Sequence, residues 1–154
     1  MNAKTISDTN LQAINLARSG KNALIFFGFA CFTSSLFIPV FFTSSENIVG
    51  YWVFITGWMG IVFAQTAWYA NPMQLLSMLI ASEKPKTAVL LSLLSLVLST
   101  GALLIYEIPL GINNDKLFIK EYGFGMYLWI LSHAFILLAL IFNLYDSKKN
   151  KIRA

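Results

Sequence analysis

One cysteine and one histidine, Cys31 and His133, stand in a chain of 154 residues. A lone cysteine excludes an intramolecular disulfide. One His and one Cys on separate segments do not make a metal site, which needs clustered ligands. Charge is scarce as well: only 12% of the residues are Asp, Glu, Lys or Arg, where a soluble domain carries about 25%. There is no G-x-S-x-G, P-loop, H-E-x-x-H or C-x-x-C pattern, so the common catalytic loops and metal helices are missing. No cofactor, no metal and no enzymatic activity are expected on these grounds.

What the chain has instead is long apolar runs. Residues 23–42, 48–70, 87–106 and 124–145 make up more than half of it, and none of the four contains Lys, Arg, Asp or Glu. At 1.5 Å per residue each would cross a hydrocarbon layer of about 30 Å. The first run continues past Cys31, against a lipoprotein signal, and it exceeds the core of a normal cleaved signal peptide. The fold expected is an all-α membrane protein, a four-transmembrane-helix antiparallel bundle between a cytoplasmic segment 1–22 and a basic tail 146–154.

The basic residues give the orientation. Lys4, Arg18, Lys21, Lys84, Lys86, Lys148, Lys149, Lys151 and Arg153 flank the runs on one side, and only Lys116 and Lys120 lie on the other. Short loops rich in Lys and Arg stay inside, so both termini should be cytoplasmic in a bacterial-type inner membrane. The net charge of +4 then reflects anionic headgroups, and no nucleic-acid partner is expected.

Between the runs, residues 7–17 suggest a short surface helix ended by Ser19-Gly20. Pro39 falls in the last turn of the first run. Asn71-Pro72 resembles a helix start, with Asn71 as cap. Leu75, Leu76, Leu79 and Ile80 share one face, which predicts a short interfacial helix over 73–81. Segment 107–123, with Pro109, Gly111 and Asn113-Asn114-Asp115, is a turn-rich external loop and the foremost place for outside contacts. Tyr51, Trp52, Tyr106, Tyr122 and Tyr127 should mark the outer interface; Trp68, Tyr69 and Tyr145 should mark the inner one.

Helices in lipid associate through small residues and polar contacts. Gly57, Gly60 and Ala64 in the second run, Ser92 in the third, and Gly28 and Gly125 in the outer two are suited to close packing. Intramembrane polar groups are the default pointers to function. The ligand or pathway candidates are His133, Gln65, Ser95, Ser99 and Glu107. On straight spans His133 lies about 13 Å below the outer boundary and Gln65 about 12 Å deeper still. The two then do not meet. His133 should bond a serine at its own depth (Ser34, Ser35 or Ser99), and Gln65 should approach Ser92.

Three functions are weighed. The first is a non-enzymatic accessory, interaction or immunity-type component acting through partner contacts in the bilayer, its partners being lipids, another membrane protein or a homo-oligomer of itself. The second is a small oligomeric transporter or channel using His133, Gln65 and the serine row. The absence of a buried carboxylate counts against it. The third is a lipid-acting enzyme with polar groups around Asn71, Gln74 and 82–86.

Overall fold

The computed structural model describes residues 3–63, 65–109 and 116–153, with side chains over 19–60, 65–108 and 116–147. The first proline is Pro39, and up to it nothing forbids a helix. Helix α1 (Ala3–Phe37) runs unbroken through Ser19-Gly20, where a stop was expected. A single glycine costs a helix only about 1 kcal/mol, and the helical turns on both sides carry it across. Pro39 lies outside α1 and opens strand β1 (Pro39–Thr43).

The all-α expectation therefore needs correction. Strands β1, β2 (Asn47–Val49), β3 (Glu107–Pro109) and β4 (Lys116–Tyr122) form an antiparallel sheet in the order β2-β1-β4-β3. The cause is topological. Both loops leave the bundle at the same end, where Phe41 comes opposite Tyr122 and Phe42 opposite Glu121. Pairing the strands satisfies backbone N–H and C=O groups that would otherwise lie bare beside an apolar bundle. The β1–β2 turn is tied by Thr43, whose hydroxyl donates to the Glu46 carbonyl at 2.8 Å and accepts the Ser45 and Glu46 amides.

The second apolar run, residues 48–70, is not one straight span. It contains the end of β2, helix α2 (Gly50–Thr56), a 3-10 helix (Gly57–Phe63), and a second 3-10 helix (Ala67–Tyr69) that passes into α3 (Ala70–Leu79). The chain doubles back between the two 3-10 helices. The Gln65 amide donates to the Gly60 carbonyl at 2.8 Å, the Trp68 indole to the Phe54 carbonyl at 2.8 Å, and the Tyr69 hydroxyl to the Trp58 carbonyl at 3.2 Å. Glycine permits the approach: a Cβ on Gly57 would strike the Trp68 ring, and one on Gly60 would lie 2.7 Å from the Gln65 carbonyl oxygen. These two glycines thus pack against the returning half of their own segment, not against another span. Ala64, expected beside them, lies outside the described residues. Trp68 and Tyr69 belong to this arch and not to an inner-boundary belt.

From the arch, α3 descends antiparallel to α4 (Pro85–Gly101). Ser95 donates to the Ala70 carbonyl at 2.8 Å and Gln74 donates to Ser92 at 3.0 Å. Helix α3 is therefore packed within the bundle, where an interfacial helix was expected. Its Leu75, Leu76 and Leu79 point outward, 48–69% exposed. At the end away from the sheet, Asn143 donates to the Ala81 carbonyl at 3.1 Å and accepts from Lys21 at 3.3 Å. Helix α5 (Phe124–Arg153) runs antiparallel to α1, with Gly28 against Ile136 and Ser132. Thus α1 begins, and α5 ends, at the end opposite the sheet.

Among the described residues, three helices are long and apolar enough to cross a membrane: Ser19–Phe37, Pro85–Leu104 and Phe124–Ser147. Phe124 to Asn143 measures about 28 Å at the helical rise, close to one hydrocarbon thickness. The burial pattern agrees with a lipid surround. The largest fully buried side chains are His133, Ser77, Ser92, Ser95 and Ser99, while Phe26, Phe27, Leu90, Val97 and Phe142 are more than half exposed. Small polar groups inside and large apolar groups outside is how helices pack in lipid. The protein is a membrane protein.

Candidate functional site

The serine row of α4 is occupied by packing. Ala88, Ser92, Ser95 and Ser99 recur at helical spacing and are buried on one face. Ser92 and Gln74 exchange hydrogen bonds, Gln74 Nε2 to Ser92 Oγ at 3.0 Å and Ser92 Oγ to Gln74 Oε1 at 3.1 Å as alternative donors. Ser77 returns its hydroxyl to the Gln74 carbonyl at 2.7 Å, and Ser99 to the Leu96 carbonyl at 2.9 Å. Gln74, not Gln65, is the partner of Ser92. Its signal was present: Ala70, Gln74 and Ser77 fall on the side of α3 opposite Leu75 and Leu79.

Gln65 lies elsewhere. The arch brings it back to the sheet end, where Nε2 donates to the backbone carbonyl of Glu107 at 3.1 Å. It is therefore nearer the sheet than His133, the reverse of the order expected from straight spans. The Glu107 carboxylate meets Lys116 at 2.6 Å with both side chains nearly half exposed. Such pairs contribute at most about 1 kcal/mol.

His133 also differs from expectation. It bonds none of Ser34, Ser35 or Ser99; Nδ1 sits 2.8 Å from the Trp129 carbonyl and 3.2 Å from Ser132 Oγ, all on its own helix. A proton on Nδ1 satisfies the carbonyl, and Nε2 is then the one buried side-chain nitrogen or oxygen without a partner among the described residues. One turn nearer the sheet, the Trp129 indole donates to Asn71 Oδ1 at 2.9 Å. Asn71 is consequently a tie between α3 and α5 and makes no side-chain cap on α3, which starts at Ala70. Among the described residues no three His, Cys, Asp or Glu side chains come together as a metal ion would require.

A cavity of about 630 Å³ lies at the sheet end. The arch forms one wall through Val53, Gly57 and Gly60; α1 adds Phe32 and Leu36; and the sheet adds Val40, Phe41 and Leu117. Ala67, Ala102, Met126 and Trp129 close it toward the bundle. Its lining is mostly apolar, with the polar side chains Ser35, Glu46, Asn47, Thr56, Gln65 and Asn71 spread through it. Trp52, Phe54 and Met59 stand at its rim and are 41–53% exposed. A volume of this size with sparse polar anchors is typical of small-molecule sites. Behind β4, the Tyr122 hydroxyl lies 2.8 Å from the Leu103 carbonyl and 3.1 Å from that of Ile105, tying the sheet to the 3-10 turn (Ala102–Leu104) that follows α4. Burial pushes the Tyr122 phenol above its ordinary value, and Tyr106 and Tyr127 add smaller pushes.

No family model, curated protein or solved structure matches this chain.

Proposed function

We propose that this is a multi-pass protein of a bacterial-type cytoplasmic membrane, termini inside and sheet outside, that works by binding at its sheet-bearing end. It is a non-enzymatic accessory, interaction or immunity-type component. It crosses the membrane four times, the second time through residues 67–79 in place of 48–70. The single observation behind this is the arch. A stretch apolar and long enough to cross folds back to the end it started from, leaving exposed Tyr51, Trp52, Phe54, Ile55, Trp58 and Met59 beside the cavity. That arrangement adds contact surface and no second straight helix.

In-cell photocrosslinking from Trp58 and Phe118, both more than half exposed, tests the reading. A discrete protein adduct from Trp58 or Phe118 that is missing from a probe at Leu90 supports it; equal labelling from all three positions overturns it.

The transporter reading keeps one observation in its favour, the unpartnered Nε2 of His133. Against it, Ser92, Ser95 and Ser99 are fully buried in the α3–α4 packing and their hydroxyls are engaged in hydrogen bonds. Vesicles carrying the protein should leak protons no faster than empty ones. A leak abolished by His133→Ala would restore the transporter.

A further inference from the structure

We infer that the cavity beneath the arch holds one acyl chain of a membrane phospholipid. The inference rests on the reading of the sheet end as the binding end, and it names the ligand class.

The lining excludes most other occupants. Val40, Phe41, Val53, Ala102, Leu117 and Met126 are aliphatic or aromatic, so a charged or sugar-like ligand would lose its hydration without replacement. The rim faces the same way. Trp52, Phe54 and Met59 are exposed, and no charged residue occurs between Gly50 and Phe63. A lipid chain lying against that rim reaches the cavity without crossing a polar barrier.

The polar groups are placed for an ester. Asn71 lines the cavity, and its amide oxygen is used by the Trp129 indole at 2.9 Å. Its amide nitrogen has no acceptor among the described residues and keeps two N–H donors free for the carbonyl of a glycerol ester. Phospholipid is favoured over free fatty acid because the lining carries no Lys or Arg to pair with a carboxylate; the one charged lining residue, Glu46, would repel it.

The test uses Trp129 as reporter. Trp52, Trp58 and Trp68 are replaced by Phe, and the protein is placed in vesicles of phosphatidylcholine with or without bromine on the acyl chains. Bromine quenches indole fluorescence on contact. Quenching of Trp129 should be strong and should be lost in Ala102→Phe, which fills the cavity from its closed side. Ala67→Phe fills it from the arch side and should act alike; circular dichroism shows which of the two variants keeps its helices. Unchanged quenching in a folded filled variant overturns the inference, as does quenching by brominated fatty acid but not by brominated phospholipid. The crosslinking experiment above is independent. A protein adduct with no cavity quenching removes the lipid and leaves the binding reading in place.

Discussion

Gln74 and Gln65 look alike in the sequence, and the fold gives them opposite surroundings. Gln74 is buried and bonded to Ser92 across two helices, while Gln65 bonds a backbone carbonyl at the sheet end. Interhelical hydrogen bonds in membrane proteins average about 0.6 kcal/mol. A double-mutant cycle of Gln74→Leu with Ser92→Ala should therefore show coupling of about that size in a detergent unfolding titration. The same cycle with Gln65 should show none. Coupling between Gln65 and Ser92 would favour the straight-span geometry. The glycines divide in the same way. A Cβ on Gly101 meets nothing within 4 Å, so Gly101→Ala should stabilise by about 0.5–1 kcal/mol through helix propensity. At Gly50 a Cβ would enter the Ser35 carbonyl. Gly50→Ala should lower stability by about 1–3 kcal/mol, as overpacking does.

Among the elements, the helices of the third and fourth apolar runs and of residues 23–37 were legible, whereas residues 39–42 of the first run pair with β2 and β4 as part of β1. Charge-free stretches of that length have one low-energy solution in lipid, a helix. The boundaries were less legible: α1 begins well before residue 23 and α5 continues past residue 145, since a helix started in lipid propagates into water while its residues tolerate it. The second run failed for a specific reason. Hydropathy weighs Gly57 and Gly60 as neutral span residues, whereas here they are the points where one half of a doubled chain touches the other. The sheet was invisible for a related reason: β1 and β4 are 73 or more positions apart, from Thr43 to Lys116, and no local pattern announces such a pairing. The Tyr122 bond to the 3-10 turn after α4 has a pH consequence. Its phenol is raised above the unfolded value near 10, so its stabilising effect is complete below pH 10 and disappears as pH rises through the folded value. Alkaline titration should loosen the sheet end before the helices, and Tyr122→Phe should remove that step. Loosening at unchanged pH in Tyr122→Phe would assign it to another group.

For the molecule as a whole, the proposed function rests on the arch. With residues 48–70 as a straight span, the bundle would have four similar helices and a candidate row of polar depths. With the arch, residues 67–79 return the chain to the opposite end through about 21 Å of 3-10 and α-helix, and the sheet end has a cavity and an aromatic rim. The proposed topology keeps four crossings, so it still has both termini on one side, in keeping with the charge asymmetry. It is the position of Thr66 that separates the two topologies. It is exposed and lies beside Tyr106, Glu107 and Phe118 at the sheet end, whereas a straight span would carry it close to the cytoplasmic boundary. In a Cys31→Ala background, Thr66→Cys in intact cells should react with a membrane-impermeant maleimide as Ser45→Cys does, while Ser82→Cys should react only after permeabilisation. Labelling of Thr66→Cys only after permeabilisation, together with Ser82→Cys, would contradict the arch and everything built upon it.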